Sequence, residues 1–323
     1  MRASGRQAWT VAAALSIAVL LSGGGCDTSP EPTTVAKRIK IAMITEWDGG
    51  SFWSVVKKGA EQAARDLDID LTYSTADGDH ERQAQLIASA VTLKVDGIAV
   101  SAADPRAIAS AVQQARAAGI PVITLNSGAE QSAELGAVAH VGQTETIAGR
   151  QAGQRLGATG AKKLLCVNGE AGNVGQIQRC QGAQQGFGGT TEVVNVKGVS
   201  DLATTLTELQ SKLRADQQID AVLTLNPDIA IAARDAIKAA GSTAKLGTFD
   251  LSNNVMSAIR AGEIQFAIDQ QPYLQGYLPV SFLKLYQANG DVVGGGAPVL
   301  TGPAFVDKSN VDKVEKLVAQ GTR

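Results

Sequence analysis

The chain has 323 residues, of which 44% are hydrophobic and 19% charged, and 29 Lys+Arg against 31 Asp+Glu leave a net charge of −2. That length exceeds one ordinary core and suits two domains, hence a cleft; the near-neutral balance, with no basic stripe, excludes nucleic acid as the partner and points to a small neutral ligand. Two histidines and three scattered cysteines form no CxxC or HExxH spacing, so neither a protein-bound metal nor a cofactor is expected.

Arg2 and Arg6 precede the apolar run WTVAAALSIAVLLSGGGC at 9–26. The run is short for a membrane span and ends in small residues, the layout of an export signal covering 1–26. It resembles a bacterial lipoprotein signal, in which Cys26 is lipidated and becomes the new amino terminus, although Gly23 stands where such signals carry leucine. The alternative is plain secretion with Cys26 lost. The stretch 27–37, beginning DTSPEPTT, reads as a flexible tether. Together these imply an exported protein, periplasmic or at the cell surface, held to the membrane by a lipid anchor.

From Arg38 short apolar runs alternate with amphipathic helices. Strands are expected at 40–45, 69–75, 96–102 and 121–127, separated by helices at 51–67, 81–94 and 105–119. Beyond residue 140 the rhythm restarts, with helices at 146–160, 175–187, 203–215, 229–241 and 255–262 and strands at 163–169, 190–198, 221–226, 245–250 and 264–270. No further element is assigned. Near-continuous Val/Ile/Leu strands alternating with helices define an α/β protein whose two similar lobes are doubly wound parallel sheets covered on both faces.

In open parallel sheets a ligand sits beyond the carboxyl ends of the strands. Those ends read Glu46-Trp47-Asp48, Asp77-Gly78-Asp79, Ala103-Asp104, Asn126-Ser127, Asn168-Gly169-Glu170, Asn226-Pro227-Asp228, Asp250-Leu251-Ser252 and Asp269-Gln270. Any one of these polar residues is readily explained as a helix cap or turn former. Collectively they form a ring of amides and carboxylates, which satisfies many hydroxyls at once because Asp accepts while Asn and Gln also donate. Trp47, Phe52 and Trp53 cluster after the first strand and offer faces for the apolar side of a sugar ring, or else bury the helix start against the sheet.

Catalytic motifs are missing: there is no GxSxG elbow and no phosphate loop, and GEAGNVG at 169–175 lacks a well-placed acidic partner. His80 and His140 read as solvated loop side chains. Cys166 and Cys180 are open to two readings, a disulfide in an exported protein or a buried strand thiol at 166. The chain is therefore not read as an enzyme.

IAMITEWDGGSFWSVVKKGAEQAA, DGIAVSAAD, AAGIPVITLNS, VGQTETIAGRQAG, LNPDIAIAARDAIKAAG, LGTFDLS and EIQFAIDQQPYLQGY resemble the ribose-binding-protein type of periplasmic sugar-binding proteins, in matching order over essentially the whole mature chain. The resemblance implies the type I periplasmic binding fold, with residues 38–141 plus 271–302 as one lobe and 142–270 plus 303–323 as the other. Three hinge crossings would join the lobes, which would bend shut on one monosaccharide or polyol. It also implies a monomer that delivers its ligand to the permease of an ABC importer. The family's stacking aromatics fall on Phe52 and Trp53, its first-loop contact near Glu46, its fourth-strand acid on Asn126 and the following arginine on Ser127. The second-lobe arginine motif falls around Arg179, with a ligand-facing arginine replaced by Ile177. The family's amide, aspartate and glutamine fall on Asn226, Asp250 and Gln270. The departures at Ser127 and Ile177 remove two charged clamps and argue against ribose, whereas Glu46 and Trp47 are additions that reshape the pocket. The rivals are a ligand module for a membrane chemoreceptor or sensor kinase, a repressor effector domain, for which the export signal occupies the space a DNA-binding segment would need, and an enzyme on a doubly wound fold.

Overall fold

A computed structural model describes residues 38–47 and 50–323; the expectations for 1–37, Cys26 among them, lie outside the described residues. The first half runs β1 (Lys40–Thr45), α1 (Gly50–Asp66), β2 (Asp70–Thr75), α2 (His80–Thr92), β3 (Gly97–Ser101), α3 (Pro105–Ala117), β4 (Val122–Asn126) and β5 (Ala139–Gly142). The second runs α4 (Glu145–Gly157), β6 (Lys163–Asn168), α5 (Val174–Phe187), β7 (Thr190–Asn195), α6 (Leu202–Ala215), β8 (Ala221–Thr224), α7 (Pro227–Ala239), β9 (Lys245–Phe249), α8 (Asn253–Ala261) and β10 (Phe266–Asp269). The chain ends with α9 (Pro272–Asn289), β11 (Val299–Leu300), β12 (Ala304–Asp307) and α10 (Val311–Ala319).

Two six-stranded sheets result, ordered β11-β5-β4-β3-β1-β2 and β12-β10-β9-β8-β6-β7. Omitting the edge strands β11 and β12, the two orders are the same, so the lobes repeat one design. The chain passes from the first sheet to the second after β5 and after β11, and returns after β10. Both sheets are parallel except where β12 pairs antiparallel with β10, a departure from the all-parallel expectation. Each sheet is buried on both faces. Ile41 and Met43 pack on one side of the first and Ala42 and Ile44 on the other, and Leu165 and Val167 against Leu164 and Cys166 divide the second in the same way. Burying each Ile, Leu, Val or Met among them contributes about 1.5–3 kcal/mol, which is why these strands read as continuous apolar runs.

The elements past residue 270 escaped the sequence pattern for a physical reason. The buried stripe of α9 comprises Pro272, Gln275, Gly276, Pro279, Val280 and Leu283, a helical spacing written in residues that do not look apolar. Gly276 sits in that stripe because α9 crosses α1 almost backbone to backbone: a Cβ there would lie 1.9 Å from the Val56 carbonyl oxygen. In the second lobe α4 and α5 repeat the device. Gly149 faces the Arg179 carbonyl and Gly182 the Thr146 carbonyl, where added Cβ atoms would lie at 2.0 and 2.2 Å. The disulfide Cys166–Cys180, with Cα atoms 5.8 Å apart, ties α5 to β6.

Candidate functional site

Many of the polar strand ends are helix caps. Asp79, Asp104, Asn226 and Ser252 each accept hydrogen bonds from the first backbone N–H groups of the following helix, as does Asn173 further along its loop. Some do more than cap. A narrow cavity of about 30 Å³ lies between the two sets of strand ends, well short of the roughly 300–1,000 Å³ of a typical ligand pocket. Phe52, Trp53 and Asn126 wall it from the first lobe and Glu170, Asn173, Gln176, Arg179, Leu225, Asn226 and Asp250 from the second, with Gln270 where the chain crosses between the lobes after β10.

The aromatic wall is formed by Phe52 and Trp53, whose rings meet edge to face with centroids 5.0 Å apart. Both also belong to the first-lobe core, so a single packing arrangement anchors them and presents a face to the cavity. Asn126 and Asp250, the terminal residues of β4 and β9 or just beyond, adopt φ of 60° and 68°. Asn and Asp are the residue types that tolerate this left-handed region at modest cost.

Opposite the aromatics lies a connected polar array. Arg179 donates from Nε to Glu145 Oε2 at 2.6 Å and from Nη2 to Glu145 Oε1 at 3.0 Å and Gln270 Oε1 at 2.8 Å. Gln270 donates to Asp250 Oδ1 at 2.7 Å. The guanidinium also lies 4.7 Å from the centre of the Phe249 ring. Burial alone would lower the pKa of Arg179, but Glu145, joined by Asp250 and Glu170, more than offsets it, so the pKa is raised and the group stays charged. Asp250 behaves oppositely: burial, assisted by Asp269 and Glu145 and opposed by Arg179 and Gln270, pushes its pKa up to about 7. Burial likewise raises Glu170, and burial with repulsion from Glu170 and Asp104 raises Glu46 well above the carboxylate range.

The lobes also touch directly at the cleft. Ser127 Oγ donates to Asn173 Oδ1 at 3.0 Å, Asn173 Nδ2 donates to Glu46 Oε2 at 3.3 Å, and the Val174 N–H donates to the Ala103 carbonyl at 3.0 Å. Beside the crossing after β10, Gln275 accepts from Asn126 Nδ2 and donates to the Gln270 carbonyl and Thr301 Oγ1, all at 3.1 Å.

Of the residues chosen from sequence, Phe52, Trp53, Asn126, Arg179, Asn226, Asp250 and Gln270 come together on the cavity wall. Glu46 and Ser127 stand behind it as partners of Asn173. Trp47 does not reach it: its ring lies against Gly78, where a Cβ would come within 2.4 Å. Ile177 faces an outer groove beside Arg106 and Arg116 instead of the cavity, so its loss of charge removes no clamp. Gln176 and Arg179, one helical turn apart, are the α5 residues that face inward. His140 is not a solvated loop residue: it is buried in β5 with Nδ1 3.0 Å from Thr124 Oγ1, and burial lowers its pKa to about 4. Glu145, Asn173, Gln176 and Gln275 went unselected. The i, i+3 spacing of 173, 176 and 179 was the available signal for two of them, whereas Glu145 looked like an ordinary acid in a first helical turn. Among the described residues no group of three His, Cys, Asp or Glu side chains is placed to hold a metal.

A profile of the family described as periplasmic binding protein domain matches residues 41–291. A carbohydrate transporter from Acidothermus cellulolyticus 11B, crystallised with myo-inositol, is 47% identical with a TM-score of 0.86, the match covering 89% of this chain and 100% of that one. The xylitol-binding protein of Mycolicibacterium smegmatis is 26% identical over 325 residues, 96% of this chain and 87% of that protein. The ribose import binding protein of Bacillus subtilis is 26% identical, with 75% of this chain and 79% of that protein covered.

Proposed function

The chain belongs to the periplasmic binding protein domain family, and from that premise we propose that it captures one uncharged polyhydroxy ring, a cyclitol of the myo-inositol class foremost, and delivers it to an ABC importer. The observation that carries the reading is the composition of the cavity wall, an aromatic pair on one side and amides and carboxylates of both lobes on the other. The aromatic faces cover the C–H side of a ring. Asp250 and Glu170 accept from hydroxyls, and Asn126, Asn226 and Gln176 donate and accept. Such a site leaves buried polar groups unmatched by a ligand lacking hydroxyls, and so rejects it. The relatives support the same class, since their names specify myo-inositol, xylitol and ribose.

Binding is reversible and without chemistry. The ligand bridges the half-sites and shifts the lobes toward the closed arrangement, which the importer recognises. The protein is exported, anchored through lipidated Cys26, and works as a monomer.

A thermal-shift screen of the mature protein against myo-inositol, xylitol, D-ribose and other pentoses and hexoses tests the reading. Ligand at about 100 times its Kd adds about 2.7 kcal/mol, which for a chain of this size raises Tm by about 4–5 °C. The ligand must be recovered unchanged. No shift with any neutral polyol or monosaccharide overturns the proposal.

A further inference from the structure

Arg179 poses a problem for a cavity that receives neutral ligands. A guanidinium is a permanent charge whose planar fork matches carboxylate and phosphate oxygens in pairs. Facing a cavity from a buried position, it can donate to neutral hydroxyls but also attracts anions, and the charge around it decides how strongly.

The structure supplies a dedicated counter-charge. Glu145, the first residue of α4, is almost fully buried, does not line the cavity, and meets the guanidinium side-on through both carboxylate oxygens. Gln143 Nε2 donates to Glu145 Oε2 at 2.8 Å and steadies it. The fit depends on the glycine contacts of α4 and α5, which draw the start of one helix against the middle of the other. Nε and Nη2 of Arg179 are then committed to Glu145 and Gln270, and only Nη1 has no hydrogen bond among the described residues. Asp250 and Glu170, the other acids near the guanidinium, stand on the cavity side and are the groups a ligand would address.

We propose that Glu145, without touching the ligand, sets the charge specificity of the cleft: its carboxylate cancels Arg179 and confines capture to uncharged polyhydroxy molecules. Arg179 thereby serves as a rigid hydrogen-bond donor that orients Gln270, and through it Asp250, instead of as an anion clamp. This rests on the functional reading above and deepens it, because it names the ligands the site refuses, uronates and other carboxylate-bearing sugars.

The test compares the affinities of mature protein for myo-inositol and D-glucuronate by titration calorimetry in the parent, E145Q, E145D and E145Q/R179Q. A merely structural role for Glu145 would weaken both ligands together, so the ratio is the diagnostic. In E145Q, which keeps the shape and loses the charge, the preference for inositol over glucuronate should narrow by about tenfold or more, the scale on which a desolvated charge reports the loss of its partner. E145D should fall between parent and E145Q, and the double variant should return to the parent ratio. If E145Q does not fold, the double variant carries the test, since it leaves no uncompensated charge and must still refuse glucuronate. An unchanged ratio in folded E145Q, or a double variant that accepts glucuronate, overturns the inference while leaving the functional reading intact. A parent that binds no neutral polyol overturns both.

Discussion

Asp250 has one oxygen committed to Gln270 and the other free for the ligand, in surroundings that push its pKa to about 7. A ligand hydroxyl donates to a carboxylate more strongly than to a carboxyl, so binding favours the ionised form. With the lobes together as here, the site must give up that proton below about pH 7 to take the ligand on an ionised Asp250; affinity should therefore rise with pH up to about 7, by at most about tenfold per unit, and level off above it. Calorimetry from about pH 5.5 to 8.5 reads this directly, and Asp250→Asn should both weaken binding and flatten the profile. A parent profile already flat through neutrality would show that Asp250 is not the ionisable contact. This residue was legible in the sequence because the apolar run from 245 closes on an acid at 250, the carboxyl end of its strand. The same logic selected Trp47, which the chain turns against Gly78; residue type after a strand states what is available, and only the loop's path decides where it points.

The elements were legible to the extent that apolar periodicity reports burial. Strands β1, β3, β4, β6 and β9 are buried along nearly their whole lengths and stood out. By contrast α9 bonds and packs through Gln, Gly and Pro, β11 and β12 are short edge strands, and β5 is four residues of mixed chemistry. Glycine is the more telling signature in retrospect. Gly149 and Gly153 on α4, and Gly182 and Gly186 on α5, recur at one-turn intervals because each opposes a backbone carbonyl. Backbone cannot step aside as a side chain can, so Gly182→Val must part the two helices, at a cost of about 2 kcal/mol or more. We expect a lower denaturation midpoint and, since parting α4 from α5 separates Glu145 from Arg179, weaker ligand binding. A variant with the parental midpoint would show that the helices approach each other loosely.

At the scale of the whole molecule, Asn173 is the wall residue whose side chain bonds two partners in the other lobe. Its Oδ1 caps α5 and accepts from Ser127 of the other lobe, while its Nδ2 donates to Glu46 of the other lobe and to Glu170 of its own at 2.7 Å. Two acids, one from each lobe, thus meet on one amide, and burial raises both their pKa values. Opening would separate them and return Glu46 to water. Asn173→Asp isolates this role, because Asp is as good a helix cap as Asn and still accepts from Ser127, yet it removes the donor and sets a third carboxylate between two others. Like charges brought together in a desolvated site disfavour the arrangement that unites them. We therefore expect N173D to keep the parental fold by circular dichroism but to bind ligand about tenfold or more weaker near pH 8, with the deficit shrinking toward pH 5 as the acids take up protons. X-ray scattering should show the radius of gyration of the ligand-saturated parent below that of the free protein, and N173D at the same ligand concentration lying closer to the free value. Were N173D to bind and compact as the parent does at both pH values, the Nδ2 donor would be dispensable, and the lobes would be held by the ligand, the Ser127 bond and the Val174–Ala103 backbone bond.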